Sequence, residues 1–270
     1  MPLLAFDTST ERLAVGAAGP RGTFAFNGVG GPVASAELLP RIQAALSEVG
    51  LGLADVAAIG FGRGPGAFTG LRTSCAVAHG LGLGVGRPLL PLDSLLVVAE
   101  DAFGDEPGAA GGAALAEAAA VADPALIAVA MDARMDEVYG ALYARAAAGW
   151  MTCCEPALYT LAAWGALIEE HAGRLGAIAG SALSAFGARL HCPPGVRRVA
   201  DERDRAHALL RLAQAAWHAG AAVDAADALP LYLRDKVALT SAERAAASRS
   251  SSGAAAPAAA AGQVVAQVRP

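Results

Sequence analysis

Aromatic residues make up only 5% of this 270-residue chain and charged residues only 17%, although 55% of it is hydrophobic. Much of that hydrophobic fraction is alanine, so the scarcity of rings predicts a core of small side chains with helices lying close to sheets. The net charge of −5 argues against a free-standing nucleic-acid binder, which needs a basic footprint for phosphates, but not against a subunit that helps another protein hold RNA. The four cysteines, Cys75, Cys153, Cys154 and Cys192, form no C-x-x-C pair, which favours reduced thiols in a cytoplasmic protein over metal ligation. The histidines (His79, His171, His191, His207 and His218) never stand at H-x-x-x-H spacing, so no metal site is read. No Ser/His/Asp or Cys/His grouping is visible either. Asp7 breaks the only N-terminal apolar run, and no signal peptide is expected. His79, Arg87 and several glycines interrupt the run from Cys75 to Leu92, which predicts no membrane span.

What is present is a regular alternation. Leu3–Phe6 reads as a buried strand ending on Asp7, followed by the polar turn Thr8-Ser9-Thr10-Glu11 and strands at Leu13–Ala17 and Thr23–Asn27. From Ser35 onward Leu38, Leu39, Ile42, Ala45, Leu46 and Val49 recur at helical spacing, and Pro40 predicts a late start or a kink. A strand at Val56–Phe61, a helix from Thr69, a strand at Pro88–Leu92 and a helix over Ser94–Ala102 complete a first α/β half, residues 1–103. The Ala/Gly-rich stretch 104–124 reads as an insertion or linker. The opening pattern then returns. Leu126–Met131 ends on Asp132, turns through Ala133-Arg134-Met135-Asp136 and resumes as Glu137–Ala144, which makes Asp7 and Asp132 equivalent positions of an internal duplication. The second half, 125–239, continues with a strand near Cys154–Leu158, a helix at Leu161–Ala172, a strand at Ala177–Ala179 and helices at Leu183–Leu190 and Ala206–Ala219. Whether that last helix packs back on the first half is left open. Residues 240–270, without aromatics, read as a disordered tail.

One stretch carries the most information. Between Phe61 and Arg72 lie Gly62, Arg63, Gly64, Pro65, Gly66, Ala67, Phe68, Thr69, Gly70 and Leu71. This is a strand, a glycine-rich turn and a helix start, with Thr69 as the expected N-cap. Free amides at a helix start suit an anion or a partner's carboxylate, and Arg63 with Arg72 form a candidate anion pair beside solvated or partner-facing alternatives. The stretch lacks the Lys-Ser/Thr of a P-loop, so a Walker NTPase is not read. Asp7, Thr8 and Ser9 suit a metal-bound phosphate at a strand-to-strand turn, or simply a turn closed on its own backbone. Asp132, Asp136 and Glu137 read either as an acid cluster or as solvated charges. The helix from Thr69 presents Ala76, Ala78, Gly80 and Gly82, small residues that permit close packing. A two-helix surface for another subunit is the favoured use of that face.

Several segments together resemble the TsaB (YeaZ) family of the bacterial threonylcarbamoyladenosine machinery. They are Leu4–Thr10, Leu38-Leu39-Pro40, Phe61–Arg72, Met131–Tyr139 and Pro230–Asp235, in the family's order. The resemblance implies an actin-like (ASKHA) α/β fold of two ribonuclease-H-like halves, with mixed sheets flanked by helices. It implies a non-catalytic scaffold subunit that pairs with TsaD, is joined by the ATPase TsaE, and supports transfer of a threonylcarbamoyl group, activated by TsaC, to N6 of the adenosine beside the anticodon of tRNA. Contact with tRNA would be indirect, and ATP and metal would belong to the partner subunits, with no cofactor of the chain's own. Partner-binding residues would then be Leu38, Leu39, Ile42 and Leu46 on the first helix, with Thr69, Leu71, Arg72, Cys75, Ala76, Ala78 and His79 on the second. Self-pairing through the same face stays open. Asp7, Thr8 and Ser9 would be a degenerate phosphate loop, and Gly62, Arg63, Gly64, Pro65 and Gly66 a structural turn that lets a partner come near. TsaD's metal motif, two histidines four apart, is missing from Ala34–Leu38, and Ala34 stands where the family usually has histidine. The alternative is an ATP-dependent small-molecule kinase of the actin-like group; a metallopeptidase lacks ligands and nucleophile.

Overall fold

Two five-stranded mixed sheets repeat one topology. The first runs β3-β2-β1-β4-β5, and the second, β10-β9-β6-β7-β8, has the same order when taken from its opposite edge. The strands of the first are β1 (Leu3–Asp7), β2 (Arg12–Gly19), β3 (Gly22–Val29), β4 (Ala58–Gly64) and β5 (Leu89–Asp93). Those of the second are β6 (Leu126–Asp132), β7 (Glu137–Ala146), β8 (Gly149–Thr160), β9 (Leu175–Ala179) and β10 (Arg197–Val199). In each sheet the opening strand is antiparallel to the next one in the chain and parallel to the strand on its other side, as β1 is to β2 and β4, and β6 to β7 and β9. The duplication read from the two Asp-ended strands is therefore built into the hydrogen bonding. This computed structural model describes residues 1–103, 125–146 and 149–234. The expected insertion at 104–124 and tail at 240–270 lie outside them.

The helices are α1 (Ala34–Glu48), α2 (Phe68–Val85), α3 (Ser94–Phe103), α4 (Leu161–Glu170), α5 (Ala182–Phe186) and α6 (Arg205–His218). Leu38, Ile42, Ala45 and Leu46 of α1, with Cys75 and Ala78 of α2, share a buried cluster with Leu4, Phe6, Val15 and Ile59 on one face of the first sheet. The other face is covered by α6 through Ala206, Leu209, Leu210 and Ala213. On the second sheet α3 packs one face through Leu95, Val98, Ala99 and Phe103, and α4 and α5 pack the other through Trp164, Ile168 and Ala182. The layers thus run α1 and α2, first sheet, α6 and α3, second sheet, α4 and α5. Small side chains make this spacing workable: the position a Cβ would take on Gly16 lies 2.7 Å from a Leu210 side-chain carbon.

The last helix follows the second sheet in sequence yet lies on the first. Met1–Leu233 accordingly forms one unit. Glu100 of α3, 3% exposed, ties the layers together. Its carboxylate accepts from Arg145 Nη1 at 2.9 Å, from Trp150 Nε1 at 2.5 Å and from the guanidinium of Arg211 on α6. Asp101 accepts the Arg203 and Asp204 backbone N–H groups at 2.6 Å each.

Three local expectations are corrected. Of the late start or kink expected at Pro40, the late start is overturned: α1 begins at Ala34 and runs through Pro40. Pro40 and Ala36, whose carbonyl loses its donor, are both exposed, so solvent can satisfy that carbonyl. Thr69 is not the N-cap of α2. Ala67 holds that place in extended conformation without a side-chain cap, and Thr69 is an exposed second residue of the helix. The expected helix at Leu183–Leu190 stops at Phe186, because Gly187 takes φ +53° and the chain continues as a 3-10 turn. The three-residue strand Arg197–Val199 gave no sequence signal, being too short and too charged.

Candidate functional site

The glycine-rich stretch and the Asp7-Thr8-Ser9 turn form one unit. β1 is hydrogen-bonded on both sides, to β2 and β4, which delivers Asp7 rigidly to the end of the sheet centre. Asp7, Thr8 and Ser9 are 0%, 1% and 1% exposed. A Cβ on Gly62 would lie 2.1 Å from Asp7 Cγ, one on Gly66 2.3 Å from Ser9 O, and one on Gly70 1.9 Å from Thr8 O. At these three glycines it is the chain's own turn that lies against the backbone, as a structural turn requires. Thr8 Oγ1 donates to Gly70 O at 2.7 Å, the Thr8 amide donates to Ser74 Oγ at 2.9 Å, and the Ala67 amide donates to Ser9 O at 2.7 Å. Gly64 takes φ +104°, a conformation that favours glycine, and Arg63 O beside it accepts the Leu231 amide at 2.7 Å.

Asp7 is saturated from within. Its Oδ1 accepts the Ser9 amide at 2.7 Å, and its Oδ2 accepts Ser94 Oγ at 3.0 Å and Arg205 Nη2 at 2.6 Å. Arg205 is 1% exposed and also donates from Nη1 to Glu202 at 3.0 Å. Burial by itself would lower the pKa of this guanidinium, but the carboxylates of Glu202 and Asp7 overrule it and hold the value above the ordinary range. The groups that suited a metal-bound phosphate are thus brought together, but around a cation supplied by α6.

Its counterpart in the second half repeats the geometry with less burial. Asp132 Oδ1 accepts the Arg134 amide at 2.8 Å, as Asp7 Oδ1 does that of Ser9, while the amide that reaches a serine hydroxyl is that of Asp132 itself, to Ser181 Oγ at 3.1 Å, one position earlier than Thr8 in the first half. Arg134, Met135 and Asp136 all take positive φ, near 60°. The acid cluster expected there is ion-paired: Arg134 bridges Asp132 at 3.1 Å and Glu11 at 2.9 Å, and Asp136 meets Arg189 at 3.0 Å. Among the described residues no group of three or more His, Cys, Asp or Glu side chains could hold a metal ion.

The residues expected to bind a partner divide by burial. Leu38, Ile42 and Leu46 of α1 and Leu71, Cys75 and Ala78 of α2 belong to the protein's own core, which removes them from any surface. Leu39, Thr69, Arg72 and Ala76 are exposed. His79 is half-buried, and its Nε2–H donates to Ala228 O, pinning the segment that follows α6 against α2. On α2 the exposed residues Thr69, Arg72, Ala76, Gly80 and Leu83 recur every three or four positions and form one outward stripe. A Cβ added at Gly80 or Gly84 would meet nothing within 4 Å. Arg63 and Arg72 do not act as a pair. Arg72 stacks 3.9 Å over the Phe68 ring, which also meets Tyr232 at 5.6 Å, whereas the charge of Arg63 acts on Asp93 and Tyr143.

A family model described as TsaD, tRNA N6-adenosine threonylcarbamoyltransferase, matches residues 34–169, half of the chain. The chain is 32% identical to a crystal structure described as "YeaZ from Pseudomonas aeruginosa", with a TM-score of 0.69, over 86% of this chain and 99% of that one. The chain belongs to the TsaB (YeaZ) family. Another solved structure, "an uncharacterized protein with similarity to peptidase YEAZ" from the same organism, gives a TM-score of 0.73 at 32% identity and the same coverage. The tRNA threonylcarbamoyladenosine biosynthesis protein TsaB of Haemophilus influenzae is 37% identical over 52% of each chain. The protein of that name from Escherichia coli is 33% identical over 54% of this chain and 56% of its own. The chain therefore spans about half the length of the curated relatives it matches. The fold is the actin-like one of this family. Sequence reasoning missed Arg205, Ser94 and Ser74, whose residue types are commonplace and whose roles depend on neighbours far away in the chain.

Proposed function

We propose that the chain is the non-catalytic partner subunit of a tRNA threonylcarbamoyltransferase assembly, binding the TsaD subunit and supporting transfer of the threonylcarbamoyl group to N6 of the adenosine adjacent to the anticodon. The contrast between a closed turn and an open helix carries this reading. The Asp7 turn, where an actin-like enzyme would hold a metal-bound phosphate, is filled by Arg205, while α2 turns an open stripe outward that includes the small residues Thr69, Ala76 and Gly80, and Leu39 of α1 is exposed as well. Small residues let a partner helix approach closely, and Arg72 with Phe68 and Tyr232 supplies aromatic and cationic contacts of the kind that anchor interfaces. The names of the TsaB relatives give the pathway. ATP, metal and the reacting groups then belong to the partner, with TsaE and TsaC acting on the assembly and tRNA held through it. An ATP-dependent kinase would need Asp7 free, and Asp7 has no lone pair facing solvent (0% exposed).

The test is co-purification with a co-expressed TsaD chain. Ala76→Glu with Leu39→Glu should abolish recovery of the complex while leaving the thermal midpoint unchanged, because both side chains are exposed. Retention of the complex by this double variant places the interface elsewhere and refutes the assignment. Calorimetry with Mg-ATP on the isolated chain should show no binding; binding lost in Asp7→Asn would restore the kinase reading.

A further inference from the structure

α6 follows the second sheet in sequence, yet its first residue reaches the strand-end turn of the first. From Arg205 an unbroken path of hydrogen bonds leads to the start of α2. Arg205 Nη2 donates to Asp7 Oδ2 at 2.6 Å and to Ser94 O at 3.2 Å. Ser94 Oγ donates to the same Asp7 oxygen at 3.0 Å, and accepts the Gly64 amide at 3.1 Å and Ser9 Oγ at 3.0 Å. Ser9 O accepts the Ala67 amide, and Ala67 is the N-cap of α2. Arg205 Nε finds no acceptor, and the buried cation is compensated through Nη1, which donates to Glu202, and Nη2, which donates to Asp7 and Ser94 O. The joined segments (7–9, 62–67, Ser94 and Arg205) come from four separate parts of the chain.

We propose that Arg205 is a resident guanidinium that fills the Asp7 turn, and that it positions the 62–70 loop and with it the outward face of α2. It is a positioning residue: it touches no partner and acts through Asp7 and Ser94. The α2 face is thereby assembled permanently, without nucleotide or metal. The value of that face to a partner rests on the function proposed above, but the ordering of the loop does not.

Hydrogen exchange on the full chain, read peptide by peptide, separates the two. In Arg205→Ala, amides of 62–72 should exchange about tenfold faster or more, while β6 and β7 keep the parent's protection. Guanidinium chloride at tens of millimolar should restore protection, and sodium chloride at the same concentration should not, since only the planar cation refits Asp7 and Ser94. Unchanged exchange at 62–72 in a folded variant, or equal rescue by sodium chloride, overturns the proposal. Ser94→Ala keeps the buried ion pair and the Arg205 bond to Ser94 O but removes the hydroxyl's bonds with Asp7, Gly64 and Ser9, so it serves if Arg205→Ala does not fold. It should loosen the joined segments 7–9 and 62–72 while the second sheet keeps its protection, and parent-like exchange at 62–72 also overturns the proposal. A loosened loop in a variant that still binds TsaD at parent affinity would support Arg205's positioning of the loop while refuting the α2 interface.

Discussion

Two alanine substitutions in one helix should have opposite signs. Gly70 and Gly80 both lie in α2, where replacing an interior glycine by alanine ordinarily gains about 1 kcal/mol through backbone entropy. At Gly80 nothing lies within 4 Å of the new Cβ, so that gain should appear nearly whole. At Gly70 the Cβ would lie 1.9 Å from the Thr8 carbonyl oxygen. Backbone cannot rotate aside as a side chain can, and β1 is paired on both edges. Overpacking of this kind costs about 1–3 kcal/mol. Displacing the turn also loosens the bonds Thr8 Oγ1 to Gly70 O and Ala67 N to Ser9 O, each worth about 1 kcal/mol. Set against the helix gain, Gly70→Ala should lose roughly 2–4 kcal/mol, or roughly 5–15 °C in thermal midpoint for a domain of this size. Urea titrations and thermal melts followed by circular dichroism measure both variants side by side. A Gly70→Ala protein as stable as the parent would refute the argument that the glycines serve close approach of the chain to itself.

Two further predictions concern titration. Tyr143 donates to Asp93 Oδ2 at 2.5 Å. Burial, followed by the neighbouring Asp93 carboxylate, raises the Tyr143 pKa well above the usual 10.0. Ultraviolet titration through pH 10 should therefore give the same phenolate amplitude for Tyr143→Phe as for the parent; a clearly smaller amplitude in the variant would show that Tyr143 ionises normally. Asp204 caps α6, accepting from the His207 amide and from Asn27 Nδ2. Burial would raise its pKa, but the bonds from His207 and Asn27 overrule it and place it below the ordinary 3.8. A carboxylate lowered on folding stabilises the protein fully above its unfolded value and loses that contribution as pH falls through the folded one. Asp204→Asn should accordingly flatten the acid limb of a stability–pH curve below about pH 4; an unchanged slope in chemical-denaturation midpoints would contradict the assignment.

The sequence located nearly every regular element, since period-two and period-3.6 patterns are local. Leu3–Phe6 with Leu13–Ala17 and Leu126–Met131 with Glu137–Ala144 carried the repeat, and the sheets bear it out strand for strand. Helix caps and ends were less legible. Ala67 starts α2 because Ser9 O takes its amide, a contact across 58 residues by number that no local pattern announces. The helix-face assignment failed in part for a related reason. Amphipathic spacing on α1 and α2 marked the residues that meet the chain's own sheet, so Leu38, Ile42, Leu46 and Ala78 went to the core and the outward stripe fell to Thr69, Arg72, Ala76, Gly80 and Leu83.

By itself the sequence determined the two-half architecture, through strand periodicity and the Asp-ended turns, and it carried the resemblance to the family in contiguous motifs such as Leu4–Thr10 and Phe61–Arg72. It also determined that something must lie against the glycines of Phe61–Arg72. Only the tertiary structure decided what that is. Asp7 and Arg205 stand 198 positions apart, and nothing in either neighbourhood distinguishes this arginine from an exposed one at a helix start. Bringing them together required α6 to cross from the second sheet onto the first. Once there, a buried carboxylate needs a countercharge, and Arg205 supplies it.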